Sequence, residues 1–332
     1  MNDPINVLTL FLFNIVLVNT PLLYGTVGEI IIEKSGSLNL GVEGTMAVGA
    51  IFGYLAGCMA NSLLVGLLVS FLAAGLCGLL FAVLTVSFQA NQNVTGLTIT
   101  TFGLGLYFFV GKGMGERWPA MAGAPALVDG FAPAEIPLLS GLPILGKVFF
   151  SQNLLVYLGA AVAALAWWYL SCTKAGLRLR AVGENPAAAD SVGVNILLYK
   201  YVHIMAGAGV MGLGGFYMAL NMSGSFEGSN CWINGFGWIA IALVIFANWN
   251  PLLAILGTLV FGFFNTLQIY SGALAGAFPG GLGWLNAVPA QLFKALPFLI
   301  TAVVLIASSV RKEKGGDRQP AALGLNYFRE ER

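Results

Sequence analysis

Long stretches without charge are the feature that most limits what this chain can fold into. Residues 62–88, for example, contain no charged side chain and consist mainly of Leu, Val, Ala, Gly and Phe. About 20 consecutive apolar residues cross the hydrocarbon core of a bilayer as an α-helix. Charged residues make up 9% of the chain, against roughly 25% in soluble domains. We therefore exclude a soluble protein and predict an integral membrane protein.

Apolar stretches recur along the chain and predict an all-α, polytopic helical bundle with about 8–10 transmembrane helices. Residues 25–40 are expected to prolong the first helix and then to break it at Ser35 and Gly36. The 44 glycines are typical of helices that pack closely in lipid through small residues. The candidate spans lie near residues 5–24, 41–60, 62–88, 93–111, 153–170, 201–220, 235–250, 251–271 and 290–309.

Positive charge is concentrated on one side of the predicted bundle. The segments 33–40, 171–200 and 310–332 hold eleven of the 15 Lys and Arg residues, and the positive-inside rule places such segments in the cytoplasm. We therefore divide the chain into a transmembrane domain, residues 1–310, which includes a cytoplasmic loop at 172–200, and a cytoplasmic tail, residues 311–332. Nine spans would place the N-terminus outside. The first apolar stretch lacks the features of a removable signal peptide and is expected to be retained.

The segments left for the outer side are rich in Gly and Pro. The longest, 112–152, shows no helical period, and 221–234 and 272–289 are also Gly-rich. They are either a docking surface for an external partner or passive connectors. The four Cys residues are dispersed, without a CxxC or a Cys/His pairing, so neither a disulfide framework nor a metal site is indicated.

The cytoplasmic loop contains the segment RAVGENPAAADSVGV, residues 180–194. Asn185 is a good N-cap, Pro186 suits the first helical position, and Gly193 is able to end a helix in the left-handed conformation. These residues predict a helix of about two turns. Its run of Ala lacks the bulky apolar and basic faces that bind lipid, which favours a groove on another protein. Packing back onto the chain's own bundle is the alternative.

Four blocks of the chain resemble the permease subunits of ABC importers for nucleosides and simple sugars, a branch related to the ribose and branched-chain amino acid permeases. TKAGLRLRAVGENPAAADSVGVNI at 173–196 resembles their coupling loop. The other blocks are GEIIIEKSGSLNLGVEGTMAVGA at 28–50, GFGWIAIALVIFANWNP at 235–251 and PAALGLNYFREER at 320–332. The resemblance covers nearly the whole chain. Asn326 departs from it, because a tail of this type is expected to have Pro there.

The resemblance implies a permease subunit that forms the translocation path for a small polar solute, a nucleoside or a simple sugar, in the plasma (inner) membrane. The implied partners are an ABC ATPase subunit, a second permease chain in a heterodimer and an extracytoplasmic substrate-binding protein, besides the lipid bilayer. The short cytoplasmic helix becomes the coupling helix, which the ATPase holds. The residues implied in ATPase coupling are Arg178, Arg180, Gly183, Glu184, Asn185, Pro186, Ala187, Ala188, Ala189, Asp190 and Gly193.

One question about this loop stays open. The charges of Arg178, Arg180 and Glu184 either hold the coupling helix or only follow the orientation rule.

The chain lacks the phosphate-binding motif GxxxxGK[ST], a nucleophile constellation and a metal-ligand cluster, so we do not expect an enzyme or a resident cofactor. ATP and Mg²⁺ are expected on the partner ATPase. Nothing indicates a nucleic-acid partner, and His203, the sole histidine, is expected to be a satisfied interfacial residue.

Polar residues near mid-span are candidates for the solute path, because they are costly in a bilayer and need a reason to be there. Glu43, with Asn39 and Thr45 beside it, either forms a cavity wall or caps backbone amides at a broken helix. Asn93, Thr95 and Thr98 either line the path or bond neighbouring helices. Thr95 and Thr98 are three residues apart and are expected to share a helical face.

Two other functions are compatible with a polytopic bundle. A self-contained secondary transporter for a small polar solute would normally have ionisable residues in mid-span, whereas most charges here lie near span ends. A channel or scaffold subunit would not explain the capped cytoplasmic helix.

Overall fold

The computed structural model describes residues 4–135, 140, 142, 144–289, 291–293, 295–296, 298–300, 302–303 and 319–328. Over these residues the fold is a helical bundle, and seven helices are long and apolar enough to cross a membrane. They are α1 (Pro4–Glu33), α2 (Val42–Ala60), α3 (Leu63–Ala82, continued by a π-helical turn at Val83–Ser87), α4 (Gln92–Met114), α7 (Leu154–Cys172), α10 (Ile196–Asn221) and α12 (Pro251–Ala277).

The remaining helices are short and lie in the connections. They are α5 (Pro125–Phe131), α6 (Leu145–Phe150), α8 (Lys174–Glu184), α9 (Pro186–Ser191), α11 (Phe236–Phe246) and α13 (Pro279–Leu282), with 3₁₀ turns at Gly115–Arg117, Met121–Gly123 and Gly283–Ala287. The expectation that 112–152 lacks helical structure is therefore wrong for two stretches, α5 and α6. Pro125 begins the first of them, in the position where Pro costs no hydrogen bond.

Two of the nine predicted spans are not among these seven long apolar helices. The segment 235–250 contains α11, which has 11 residues and is too short to cross a bilayer at 1.5 Å per residue. The prediction of a span there is wrong, because a continuous apolar run does not show where the backbone stops being helical. The segment 290–309 lies largely outside the described residues, so its prediction stays a prediction.

The core is built around α10, which packs against α1, α2 and α3. Glycines permit this close packing, as the composition predicts. Gly28 of α1 lies against Gly207 of α10, so that a Cβ on either would overlap the other's backbone oxygen. A Cβ at Gly215 would likewise overlap the carbonyl oxygen of Met46 in α2. These contacts bring helix backbones together through van der Waals packing, which stabilises a bundle in lipid.

The connection between α1 and α2 is the predicted break in the first long helix. The helix ends at Glu33, a turn follows at residues 34–36, and Gly36 has φ +81°, as the expected break at Ser35 and Gly36 requires. Residues 37–41 then run without helical structure into the bundle. Their backbone is satisfied by side chains: Leu38 N donates to Gln92 Oε1 (2.7 Å) and Gly41 N donates to Asn39 Oδ1 (2.8 Å).

As a result, α2 begins deep in the bundle. Gly44, in its first turn, packs against the backbone of Thr100, and Gly103 packs against Gly44. Gly103 lies midway along the 23-residue α4, which places the start of α2 about 16 Å from either end of that helix at 1.5 Å per residue. Non-helical backbone at this depth is tolerated only where protein or a water-filled cavity surrounds it.

Candidate functional site

The loop at residues 172–200 folds into two short helices, α8 and α9. The sequence predicts only the second of them; the first, α8, has Thr173 as its N-cap, and Thr173 Oγ1 accepts a hydrogen bond from Gly176 N (3.0 Å). The buried side of α8 consists of Gly176, Leu179, Val182 and Gly183. This spacing of three and four residues is an amphipathic signal, which the charges between these residues obscured.

The second helix, α9, has the predicted caps. Asn185 Oδ1 accepts a hydrogen bond from Ala188 N (3.0 Å), and Pro186 occupies the first turn. After Ser191 the chain turns through Gly193, which has φ +82°, and Val194 N donates to Ala189 O (3.1 Å). A helix of six residues is marginal alone in water, and these bonds hold it in one conformation.

The two sides of α9 have different surroundings. Ala189 is buried in a small cluster with Val182, Ile196 and Tyr327. The opposite side is open to solvent, and we call it the α9 face. It comprises Ala187, Ala188, Ser191 and Val192. One side of α9 therefore packs on the chain itself, as one alternative expected, and the groove on another protein stays a prediction for the exposed side.

Two exposed apolar side chains of α8 and the α9 face were missed by sequence reasoning. Val192 is 78% exposed and Leu177, on α8, is 60% exposed. Leu177 lies among charged residues that conceal it, although its position between the buried Gly176 and Leu179 was a detectable signal.

Three of the residues implied in coupling contact the chain itself. Gly183 is buried against the Lys34 carbonyl oxygen, so that a Cβ there would overlap the backbone of the α1–α2 connection. Glu184 Oε2 accepts a hydrogen bond from Ala321 N (3.2 Å), and Asp190 Oδ2 accepts one from Tyr327 Oη (2.9 Å). Replacing Gly183 would therefore disturb the fold, so Ala188 is the better probe of a partner surface.

The two arginines of the set differ in exposure. Arg178 is exposed, whereas Arg180 is half-buried and its buried Nε has no hydrogen-bond partner. The hypothesis that these charges hold the coupling helix receives no support from Glu184, because its described hydrogen bond goes to the C-terminal tail.

Glu43 caps a broken helix, which is one of its two predicted roles. Its Oε1 accepts a hydrogen bond from Gly235 N and its Oε2 accepts one from Gly237 N, both at 2.7 Å. These amides begin α11, so the helix that Glu43 caps is not its own. A carboxylate at a helix N-terminus satisfies free amides and complements the helix dipole. Hence α11 is a half-length helix that starts at the depth where α2 starts.

The other predicted path residues are not brought to one surface. Asn39 and Thr45 are buried, and Asn39 Nδ2 donates to Glu29 Oε2 (3.2 Å), which fixes the α1–α2 connection. On α4, Asn93 and Thr98 are exposed while Thr95 is 6% exposed. Thr95 is therefore packed inside the chain and Thr98 is not, and their role in the solute path stays a prediction.

A cavity of about 280 Å³ lies beside the start of α11. Its polar lining comes from the segment 222–235, and its aromatic lining comes from this segment and α11. The polar and aromatic lining residues are Ser225, Glu227, Asn230, Trp232, Asn234 and Phe236. Sequence reasoning treated this segment as an outer docking surface or a passive connector and missed the cavity, although its many Asn, Ser and Gly residues were a signal for a polar site.

His203 is held between two neighbours, as expected of an interfacial histidine. Its Nε2 lies 2.8 Å from Tyr169 Oη and its Nδ1 lies 2.6 Å from the Tyr199 carbonyl oxygen. Within the described ranges, no three His, Cys, Asp or Glu side chains are grouped so that they could hold a metal ion.

Comparison with known proteins agrees with this architecture. Residues 11–306 match the family of branched-chain amino acid transport system permease components. The nucleoside ABC transporter permease protein of Lactococcus lactis subsp. cremoris is 32% identical, with 98% of each chain covered. The guanosine ABC transporter permease protein of Bacillus subtilis is 31% identical, covering 99% of this chain and 100% of the relative.

A Haloferax volcanii protein, provisionally named a glucose ABC transporter permease protein, is 32% identical over 94% of this chain and 95% of its own length. No solved structure matches the chain. Seven apolar helices and full-length similarity to permeases indicate a multi-pass membrane protein. The chain belongs to the family of branched-chain amino acid transport system permease components and is the transmembrane permease subunit of an ABC transporter.

Proposed function

We propose that this permease imports a nucleoside or a simple sugar and that a separate ATPase subunit drives it by holding the α9 face in a groove. The observation that carries the proposal is the division of α9 into an anchored side, around Ala189, and an open side of small residues, around Ala188. Small side chains let another backbone approach closely, and the exposed Val192 and Leu177 add apolar area to the contact.

The capping of α9 supports a role in transmitting force. A partner shifts a conformational equilibrium only by its different affinity for the two states, and a helix that melts on contact would lose that difference. The bonds from Asn185 to Ala188 and from Val194 to Ala189 keep α9 helical, and its buried side ties it to α8 and α10. Movement of the ATPase would therefore move the bundle with α9.

The solute class is supported by the relatives and by the outer cavity. The three relatives are named for nucleoside, guanosine and glucose transport, and all these solutes carry several hydroxyl groups on a ring. Amide groups of Asn230 and Asn234 and the carboxylate of Glu227 suit hydroxyl groups, while Phe236 provides an aromatic surface for a ring. In this proposal the solute passes this cavity on its way to the break between α2 and α11.

Three further partners complete the proposed assembly. A second permease chain lies along the exposed side of α4, where Asn93 and Thr98 would face the shared path. An extracytoplasmic binding protein contacts the outer loops and delivers the solute. ATP and Mg²⁺ bind the ATPase subunit, because this chain lacks the phosphate-binding motif.

Orientation is tested by the native Cys172, which is exposed at the end of α7, next to the proposed cytoplasmic loop. In a variant whose other three cysteines are replaced by Ser or Ala, a membrane-impermeant maleimide is expected to label Cys172 in inside-out vesicles. Intact spheroplasts are expected to give no labelling until they are permeabilised. Labelling of intact spheroplasts would contradict the proposed cytoplasmic side, and a Cys172→Ser variant controls for background.

Purification and reconstitution distinguish the proposed function from that of a self-contained secondary transporter. A tagged chain, extracted from its own cells in mild detergent, is expected to retain a subunit that hydrolyses ATP. The chain alone, reconstituted in liposomes, is expected to show no uptake of radiolabelled guanosine or glucose under an imposed proton or sodium gradient. Gradient-driven uptake by the lone chain would overturn the proposal.

A further inference from the structure

Residues 319–328 of the C-terminal tail lie against the proposed cytoplasmic side of the bundle, and we call them the docked tail. Two backbone bonds fix its first half: Ala322 N donates to Gly183 O (2.9 Å) and Gly324 N donates to Gly36 O (3.2 Å). Gly183 is in the last turn of α8, and Gly36 belongs to the turn after α1. The docked tail thus bridges two segments that are far apart in the chain.

The second half of the docked tail reaches α4 and the end of α3. Asn326 Nδ2 donates to Gln89 O (2.6 Å), and Asn326 Oδ1 accepts from Gln92 Nε2 (3.1 Å). Gln92 Oε1 in turn accepts from Leu38 N (2.7 Å), and Gln89 Nε2 donates to Tyr327 O (3.2 Å). These side-chain amides connect the tail, the first turn of α4 and the α1–α2 connection in one network.

The docked tail also holds the coupling helix. Tyr327 Oη donates to Asp190 Oδ2 (2.9 Å), and the Tyr327 ring packs on the cluster that buries Ala189. Asp190 is on α9, so one short segment contacts α9, the end of α8, the start of α4 and the turn after α1. Together these hydrogen bonds hold the four segments in one arrangement.

Asn326 is suited to this role in a way that the residue expected from the resemblance is not. Pro has no side-chain amide and no N–H, so it could not donate to Gln89 O or accept from Gln92 Nε2. Asn326 thus makes two bonds that Pro would not make, one to the Gln89 backbone carbonyl oxygen and one from the Gln92 side-chain amide.

We propose that the docked tail transmits movement of the coupling helix to the inner ends of α1 and α4, with Tyr327 and Asn326 as its positioning residues. Movement of α9 would pull on Tyr327 through Asp190, and Asn326 would pass it to Gln89 and Gln92 at the start of α4. The α1–α2 connection leads into the first turn of α2, where Glu43 caps α11, so movement at Leu38 has a direct path to the break in the bundle. This inference rests on the proposed ATPase contact at α9.

The test uses the complex purified with its own ATPase and reconstituted in liposomes together with the binding protein. The variant Asn326→Ala/Tyr327→Phe removes the side-chain bonds and leaves the backbone bonds of Ala322 and Gly324. The control is Tyr201→Phe, which removes a tyrosine hydrogen bond to Ser87 near the same end of the bundle without touching the tail. ATPase retention, ATP hydrolysis and uptake of radiolabelled guanosine or glucose are measured on each.

The tail variant is expected to retain the ATPase and to hydrolyse ATP, while its uptake per ATP hydrolysed falls tenfold or more. Tyr201→Phe is expected to match the wild type. A smaller fall in uptake per ATP, or loss of the ATPase from the tail variant, overturns the transmitting role. The proposed ATPase contact is tested separately by Ala188→Glu, a substitution that does not touch the tail. Retention of the ATPase by that variant would overturn the contact.

Discussion

Replacing Ala188 by Glu is expected to reduce solute uptake a hundredfold or more while the chain still inserts into the membrane. Ala188 is exposed on the α9 face, so its replacement leaves the chain's own packing intact. In a groove of the ATPase the new carboxylate would be buried without a partner, at a cost on the order of 3–5 kcal/mol. Each 1.4 kcal/mol lowers an affinity about tenfold, which accounts for the size of the effect.

Uptake of radiolabelled guanosine or glucose by whole cells measures this effect, and the amount of chain in the membrane is followed by immunoblot. Ala188→Ser is the matched control, since a hydroxyl adds little volume and no charge. Its uptake is expected to stay within about twofold of the wild type, a change of less than about 0.5 kcal/mol. Normal uptake by Ala188→Glu would show that no partner covers this side of α9.

Replacing Glu43 by Ala is expected to give the largest loss of stability of any single substitution at the proposed path. The carboxylate accepts from Gly235 N and Gly237 N in a buried site, and hydrogen bonds to a charged group contribute about 1.5–3 kcal/mol each. The variant leaves two amides of α11 unsatisfied away from water. Thermal unfolding in detergent is expected to occur well below the wild-type temperature.

Glu43→Gln keeps one acceptor oxygen and is expected to lose about half as much stability as Glu43→Ala. Two controls bracket the effect. Glu116 is exposed in the segment 112–152, so Glu116→Ala removes a carboxylate without a buried cap. Thr98→Val is also expected to unfold near the wild-type temperature, because Thr98 Oγ1 bonds only within its own helix, to Val94 O. Wild-type stability of Glu43→Ala combined with lost uptake would make Glu43 a solute contact instead of a cap.

Local signals were sufficient for the parts of the fold that local chemistry decides. Asn185, Pro186 and Gly193 each favour one backbone conformation, so the start and end of α9 could be predicted from three residues. The break after Glu33 was predictable for the same reason, since Ser35 and Gly36 follow a charged pair. The membrane class followed from the length of the apolar stretches alone.

Contacts between distant segments could not be predicted in this way. Glu43 accepts hydrogen bonds from amides near residue 236, and the composition of neither segment indicates that the two are in contact. The half-length α11 depends on that contact, because without the Glu43 cap its apolar sequence is equally compatible with a full span. The docking of Tyr327 and Asn326 likewise depends on where α4, α8 and α9 come together in space.

The central claim is that the α9 face carries force from a separate ATPase, and a photo-crosslinking residue at position 187 or 188 tests it most directly. In cells that are importing solute, irradiation is expected to link this chain to an ATP-binding subunit, and the adduct is expected to be lost when Ala188→Glu is combined with the crosslinker at 187. Adducts only within this chain or with phospholipid would contradict the account.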